Sequence, residues 1–198
     1  MILMVNCSYK SKDSNTQFFL EQLKKNVGEC EILSLKNIFK NGIDNFVEKL
    51  KNADALVLGA PLYVDGLPAQ AVKLLEFLYE NHKGDFPSLP IYVVSNLGFY
   101  EAKQIKHLLD IVRNWCLKMG CTYGGGLAIG AGPMVPCVQN IPLEKILNKD
   151  IWRGISKLAY AVQNKESMEN YYTKTKIPRT VYLKAAHMTF NKSLKEIR

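Results

Sequence analysis

The chain has 198 residues, of which 47% are hydrophobic and 22% are charged, and its formal net charge is +8. This length predicts one domain with a single sizeable core. No apolar run approaches the roughly 20 residues of a membrane-spanning helix, and the apolar N-terminus lacks the basic lead-in of a signal peptide, so we expect a cytoplasmic protein without membrane contact.

Apolar periodicity predicts five strands alternating with five helices. The strands are expected at 2–7, 31–35, 54–59, 91–95 and 122–130, and the helices at 15–26, 43–51, 68–79, 101–119 and 151–162. Such alternation is typical of a parallel sheet with right-handed crossovers and helices on both faces. In such sheets ligands bind at the carboxyl ends of the strands, near the point where the strand order reverses.

The stretch ADALVLGAPLYVDGLPAQAVKLLEFL, residues 53–78, predicts one of these loops. A buried strand runs into Pro61, which cannot continue a central strand, so we expect the chain to leave the sheet there. The loop 60–68 offers the aromatic ring of Tyr63 and the flexible backbone of Gly66. These features favour a flat ligand.

The first loop, SYKSKDSNT at 8–16, is rich in hydroxyl and amide groups and ends at a predicted helix N-terminus. The unpaired N–H groups of a first helical turn form a phosphate site, to which Lys10 or Lys12 would add positive charge. Ser14 or Asn15 would alternatively act only as a helix cap. The loop is longer than the 2–6 residues of an ordinary strand-to-helix connection, which favours the phosphate site.

A third loop, NLGFYE at 96–101, pairs Gly98 with two aromatic residues. Glycine lets backbone N–H groups approach a ligand closely. Neither GxGxxG in the first strand-to-helix turn nor GxxxxGK[ST] occurs. A phosphate site beside two aromatic loops, without an adenine-binding signature, predicts flavin mononucleotide (FMN) rather than FAD.

Together these segments resemble the flavodoxin-like NAD(P)H-dependent FMN reductase and iron–sulfur flavoprotein superfamily. The resemblance rests on residues 6–16, on the stretch 53–78, and on NLGFYEAKQI with the later RNWCLKMGCTYGGGLAIGAG. It covers roughly residues 1–165, and IPRTVYLKAAH resembles the end of such chains. It implies a flavodoxin-like doubly wound five-stranded parallel sheet of order 2-1-3-4-5.

The same resemblance implies FMN as cofactor and NAD(P)H as reductant, with a quinone, a nitro compound or a similar small molecule as electron acceptor. The alternatives are a non-enzymatic electron carrier and a flavodoxin-fold binding module without flavin. The cofactor-binding residues expected from the loops and the resemblance are Ser8, Lys10, Ser14, Asn15 and Thr16 at the phosphate, and Pro61, Leu62, Tyr63, Asn96, Leu97, Gly98 and Phe99 around the isoalloxazine.

The flavin would carry the chemistry, so we expect no catalytic side chain. His82, His107 and His187 are isolated in the sequence, and no metal-ligand spacing occurs. Backbone donors at Gly98 and Phe99 would stabilise negative charge on reduced flavin. Iron–sulfur flavoproteins carry a compact cysteine run before the third strand, and residues 35–54 contain no cysteine, so we expect no cluster.

The five scattered cysteines argue for a reducing compartment and against a disulfide framework. The positive charge is spread over separate clusters without any nucleic-acid-binding motif, so we expect no nucleic-acid partner.

The chain is predicted to divide into a domain at 1–165 and a basic, aromatic extension at 166–198. The extension would pack on its own domain or on a partner subunit, through residues between Tyr171 and Phe190. A homodimer is expected, because an apolar group near the cleft is larger than a soluble domain normally exposes; the alternative is a monomer whose extension covers its own domain. That group consists of Leu62, Val64, Leu67, Phe99 and Tyr100.

Overall fold

One parallel sheet of six strands runs through the computed structural model, which describes residues 1–10 and 13–196, with side chains to residue 188. The strands are β1 (Ile2–Asn6), β2 (Cys30–Ser34), β3 (Ala55–Pro61), β4 (Pro90–Asn96), β5 (Thr122–Gly130) and β6 (Tyr171–Lys174). Their order is β2-β1-β3-β4-β5-β6. The predicted order is confirmed for the first five strands, but the predicted number of strands is wrong.

The sixth strand comes from the segment that the sequence assigned to the extension. Residues 171–174 pair with β5 in register from Leu127↔Tyr171 to Gly130↔Lys174. This strand covers the edge of β5 that would otherwise expose unpaired N–H and C=O groups. Four residues ending in a lysine are too short to show a strand periodicity, which is why the sequence did not reveal it.

Nine helices connect and follow these strands within the described residues. They are α1 (Asn15–Lys24), α2 (Leu35–Asn41), α3 (Ile43–Lys51), α4 (Ala69–His82), α5 (Ile105–Met119), α6 (Met134–Cys137), α7 (Glu144–Leu147), α8 (Lys149–Asn164) and α9 (Arg179–Glu196). The sequence did not predict α2, α6, α7 and α9. No helix in the described part of the chain is both long and apolar enough to cross a membrane.

The strands bury both faces, as a sheet covered by helices on two sides must. In β1, Leu3 and Val5 pack into the cluster beneath α2 to α5, whereas Ile2 and Met4 face the cluster beneath α1 and α8. Successive side chains of a strand point to opposite faces, so a single apolar run supplies both cores. The result is a three-layer α/β arrangement with the sheet in the middle.

The strand order reverses between β1 and β3, because β2 lies on one side of β1 and β3 on the other. The loops after β1, β3 and β4 therefore leave the sheet at the same edge. Pro61 differs from expectation: it is the last residue of β3 and pairs with Asn96 of β4, so the chain leaves the sheet one residue later. Leu62 then donates its N–H to the carbonyl of Asn96 at 2.9 Å.

Helix α1 packs closely on β3 at Gly59. A Cβ at this position would lie 2.7 Å from the side chain of Leu20, so glycine permits the close approach. This contact fixes where α1 begins relative to the carboxyl end of the sheet.

Candidate functional site

The loop after β1 is organised by Asn6, a fully buried amide at the end of an apolar strand. Its Oδ1 accepts the N–H of Ser8 at 2.9 Å, and its Nδ2 donates to Oε1 of Gln17 at 2.9 Å and to Oγ of Ser14 at 3.3 Å. Asn6 thus joins β1, the loop and α1. It was missed as a site residue, although a buried amide within an apolar run was a signal.

Ser14 is the N-cap of α1, and its Oγ accepts the N–H of Gln17 at 3.0 Å. The capping role considered for Ser14 is therefore present. The N–H of Phe18 bonds to the carbonyl of Ser14 at 3.1 Å, whereas those of Asn15 and Thr16 have no partner among the described residues. These two N–H groups remain for a ligand, as at other helix N-termini.

Thr16 and Asn96 connect α1 to β4. Both side chains are buried, with 1% and 4% exposure, and Nδ2 of Asn96 donates to Oγ1 of Thr16 at 2.9 Å. Since the Thr16 oxygen accepts this bond, its own hydroxyl hydrogen is left to donate elsewhere. The pair places one more donor beside the first turn of α1.

A single cleft of about 260 Å³ brings the three loops together. Eleven of the twelve expected site residues line it: Ser8, Lys10, Ser14, Asn15, Thr16, Pro61, Leu62, Tyr63, Asn96, Leu97 and Gly98. Phe99 does not line the cleft and is 64% exposed. Lys12 lies outside the described residues, and Asp13 and Pro133 are lining residues that the sequence did not suggest.

The two ends of this cleft differ in composition. We call residues 8–16, around the start of α1, the helix end, and residues 96–99, after β4, the loop end. Among the described residues of the helix end, Lys10 contributes a cation and Asp13 an anion, both on exposed side chains.

The loop after β3 is a tight turn rather than a flexible glycine segment. Tyr63 and Gly66 exchange two backbone hydrogen bonds, of 3.1 and 3.0 Å. The left-handed positions fall on Val64 (φ 46°) and Asp65 (φ 57°), not on Gly66. A β-branched residue rarely adopts this conformation, so the turn holds Val64, which is completely exposed, in a strained backbone state.

At the loop end every carbonyl from 96 to 99 accepts a hydrogen bond from outside the loop. Leu62 N–H bonds to Asn96 and Gly132 N–H bonds to Leu97 at 2.9 and 3.0 Å. The hydroxyl of Tyr182 donates to the Gly98 carbonyl, and Ala131 N–H donates to that of Phe99. The N–H groups of Gly98 and Phe99, in contrast, have no partner among the described residues.

The segment after β5 packs directly against the loop end. A Cβ on Gly130 would lie 2.5 Å from the Tyr100 carbonyl and 2.8 Å from the Ala102 nitrogen. Ala131, with φ 53°, continues this close approach. In the sequence this segment contributed only to the family resemblance, and its structural role is to support residues 97–102.

Titratable side chains contribute little to the cleft. Burial raises the pKa of the Cys7 thiol, beside Ser8, to about 12, so it stays protonated. His82, the last residue of α4, pairs with Asp85 at 3.0 Å, and neither residue lines the cleft. Among the described residues, no three His, Cys, Asp or Glu side chains come together to hold a metal ion.

A larger cleft, of about 460 Å³, lies between residues 101–106 and β6. Two of its three lysines are paired, Lys174 with Glu101 at 2.5 Å and Lys106 with Asp110. Helix α5 begins beside this cleft, but its N–H groups at 105–107 already bond to the carbonyls at 102–104, so the smaller cleft is the better candidate for a phosphorylated ligand.

The sheet order and the cleft at its switch point define a flavodoxin-like α/β protein. The structure is similar to an NADH:FMN oxidoreductase in its apo form (TM-score 0.63, 15% identity, 85% of this chain and 90% of that chain). It is also similar to the Trp repressor binding protein from Bacillus subtilis (TM-score 0.61, 17% identity, 80% and 97%). A third similar structure is azoreductase from Bacillus anthracis (TM-score 0.54, 16% identity, 82% and 98%). Identities this low show a shared fold.

The amino-acid sequence, in addition to the fold, identifies the family of the chain. The family model of NADPH-dependent FMN reductases matches residues 1–132, which include all three loops of the cleft, and the chain belongs to this family. It is accordingly an oxidoreductase that uses FMN, with NAD(P)H as reductant. No curated protein sequence matches the chain significantly.

Proposed function

We propose that the chain binds FMN in the cleft between the helix end and the loop end, and passes electrons from NAD(P)H to a quinone, a nitro compound or a similar small acceptor. The observation that carries the proposal is the convergence of eleven expected residues on one cleft. The same cleft joins a helix N-terminus to the unpaired backbone N–H of Gly98.

The helix end fits a phosphate monoester. The N–H groups of Asn15 and Thr16 and the hydroxyl of Thr16 are available donors, and Lys10 adds a cation. Hydrogen bonds to a charged acceptor contribute about 1.5–3 kcal/mol each. The carboxylate of Asp13 would repel a phosphate, but it is exposed, and the dissolved ions around it screen its charge.

The loop end fits the polar edge of an isoalloxazine. That edge carries carbonyl oxygens and ring nitrogens that accept hydrogen bonds, and the loop offers N–H groups while its carbonyls are occupied. Pro61, Leu62 and Leu97 supply an apolar surface between the two ends. The residues present therefore match FMN in the chemistry of their donors.

When bound, FMN supplies the hydride and electron transfer. The chain binds the phosphate, orients the ring edge and leaves one side of the cleft open. A cleft of about 260 Å³ is smaller than the roughly 300–1,000 Å³ of ligand pockets that enclose their ligands. FMN held in so small a cleft would stay partly exposed, which would let NAD(P)H and the acceptor reach it.

The test is reconstitution of the purified protein with FMN, FAD and riboflavin, followed by fluorescence titration and steady-state NAD(P)H oxidation. We expect FMN to bind most tightly and NAD(P)H oxidation to depend on an added quinone or nitro compound. Flavin binding without turnover would indicate an electron carrier, and absence of flavin binding would indicate a binding module.

We also propose a homodimer that covers the exposed apolar groups beside the cleft. Val64 is fully exposed, and Tyr63 and Phe99 are 47% and 64% exposed. Leu67, expected in this group, is buried with 8% exposure, and Tyr100 is half-buried against Tyr182.

Light scattering of the FMN-loaded protein tests the dimer and should give twice the mass of one chain. Val64→Asp should reduce the measured mass, and a single-chain mass for the wild type would contradict the dimer.

We propose further that residues 166–198 are an extension on a domain at 1–165. Pairing of β6 with β5 and the bond from Tyr182 to Gly98 support packing on the same chain, and the side chain of Phe190 lies outside the described residues. Truncation after residue 165 should then leave a folded protein of lower stability, because it exposes the edge of β5 that β6 covers, and should weaken FMN binding. A cytoplasmic location is supported by five free cysteines and would be tested by cell fractionation.

A further inference from the structure

Tyr182, in the first turn of α9, contacts the loop end of the cleft from 84 residues further along the chain. Its hydroxyl donates a hydrogen bond to the carbonyl of Gly98, and its side chain is only 5% exposed. Its ring lies 5.5 Å from that of Tyr100, measured between centroids. The C-terminal segment thus reaches the candidate flavin site through one buried side chain.

This contact differs from the others that hold the loop end. The carbonyls of Asn96, Leu97 and Phe99 accept from backbone N–H groups of neighbouring segments. Only the carbonyl of Gly98 depends on a side chain. It is also the peptide with the least support of its own, because Gly98 is exposed and a Cβ there would touch nothing within 4 Å.

The orientation of the Gly98 carbonyl fixes the N–H of Phe99. In a trans peptide these two groups belong to one plane and point in opposite directions. The carbonyl points to α9, since it accepts from Tyr182, and the N–H of Phe99 therefore points away from α9. Without the tyrosine hydroxyl, this peptide is free to rotate and to turn its carbonyl toward the ligand.

We propose that Tyr182 is a positioning residue for the flavin: it holds the carbonyl of Gly98, which lines the cleft, toward α9, so that the Gly98–Phe99 peptide presents its N–H and not its carbonyl to the ring edge. The inference rests on the proposed FMN site. A donor in this place stabilises the reduced ring, which gains electron density, more than the oxidised ring. Tyr182 thereby sets both the affinity for FMN and its reduction potential.

Burial raises the pKa of the Tyr182 phenol above its ordinary value. The hydroxyl consequently remains protonated, and remains a donor, over the whole pH range in which the protein would be assayed. The contact is a fixed part of the site rather than a pH switch.

The test compares Tyr182→Phe with Tyr100→Phe. Both variants lose one hydroxyl from the same ring pair, and Tyr100→Phe loses only the bond from its hydroxyl to the Ile177 carbonyl at 2.8 Å, leaving the Gly98 carbonyl bonded. For Tyr182→Phe we expect about fivefold weaker binding of oxidised FMN. We also expect a further tenfold loss for reduced FMN, which lowers the two-electron potential by about 30 mV.

Tyr100→Phe should keep the wild-type potential while losing similar thermal stability, which separates positioning from general loosening of the segment. Amide hydrogen exchange of the FMN-free protein gives an independent readout: the N–H groups of Ala131 and Gly132, which bond to the carbonyls of Phe99 and Leu97, should exchange faster in Tyr182→Phe than in Tyr100→Phe. A Tyr182→Phe protein with wild-type potential and exchange would overturn this inference alone. Wild-type protein that binds no FMN would overturn the proposed function itself.

Discussion

The helix end and the loop end of the cleft offer hydrogen-bond donors in two different ways. At the helix end the donors include side chains, and the Thr16 hydroxyl is oriented by the Asn96 amide at 2.9 Å. At the loop end the donors are the backbone N–H groups of Gly98 and Phe99, so they do not depend on the side chains of the loop. The chemistry is similar, but the residues that determine it lie in different places.

The comparison shows where each end is sensitive to substitution. At the helix end, replacing a lining residue removes a donor directly. At the loop end, a donor is lost only when the backbone moves, so the sensitive positions are the supports outside the loop, such as Gly130 and Tyr182. The predictions below test this difference, from the largest expected effect to the smallest.

Gly130→Ala should have the largest effect, although Gly130 does not line the cleft. Its new Cβ would lie 2.5 Å from the Tyr100 carbonyl and 2.8 Å from the Ala102 nitrogen, so backbone has to shift. Overpacking of this kind costs about 1–3 kcal/mol, and we expect the upper part of that range in urea unfolding. The displaced loop should no longer hold FMN during purification.

Gly28→Ala is the matched control, because a Cβ at Gly28 meets nothing within 4 Å. It should retain wild-type stability and FMN. If Gly130→Ala bound FMN normally, the loop end would not depend on its backbone support.

Thr16→Val should weaken FMN binding on the order of 100-fold, the upper range for loss of a hydrogen bond to a charged group. The substitution preserves shape at a side chain that is 1% exposed, while removing the hydroxyl and leaving the Asn96 amide without its partner. Fluorescence titration with FMN and riboflavin separates the two ends. Riboflavin lacks the phosphate and should lose far less affinity; an equal loss for both ligands would contradict a phosphate site at the helix end.

The same difference explains why the sequence predicted the helix end but not the residues that support the loop end. The residues of the helix end stand together as SYKSKDSNT, and hydroxyls and amides before a helix have a known use. The first five strands of the chain also follow from local apolar patterns. These features can be predicted from the sequence because each depends on residues that are neighbours in the chain.

The supports of the loop end depend on distant contacts and were not predicted. Tyr182 lies 84 residues from Gly98, and its partner is a backbone carbonyl, which has no sequence signature. The strand β6 has only four residues. It pairs with β5, in which the partner of Tyr171 is Leu127, 44 residues earlier in the chain. Val64 has a positive φ that a β-branched residue rarely adopts, so the sequence indicated Gly66 as the flexible position of this turn instead.

Asn15→Ala is expected to weaken FMN about tenfold, less than Thr16→Val, because it removes one side-chain donor and leaves the backbone N–H in place. Asn15 is half-buried at the first position of α1 and lines the cleft. Since Ser14 already caps the helix, stability should change little. An unchanged dissociation constant in the folded variant would show that the Asn15 side chain does not contact the phosphate.

Tyr63→Ala should have the smallest effect, because Tyr63 belongs to neither end and contributes only a ring at the mouth of the cleft. The turn itself should survive, since the bonds between Tyr63 and Gly66 are made by backbone atoms, at 3.1 and 3.0 Å. Aromatic contacts contribute about 0.5–1.5 kcal/mol, so FMN affinity should fall roughly two- to tenfold. Loss of a quenching ring should also raise the fluorescence of bound flavin and shift its absorption.

Tyr9→Ala provides the matched control for that measurement. Tyr9 is 81% exposed and does not line the cleft. It follows β1 at the same edge of the sheet at which Tyr63 follows β3. Its removal should leave affinity, fluorescence and absorption unchanged, whereas Tyr63→Phe should restore all three to near wild-type values. If Tyr63→Ala matched Tyr9→Ala in every observable, the Tyr63 ring would lie away from the flavin, and binding would depend on the two ends of the cleft alone.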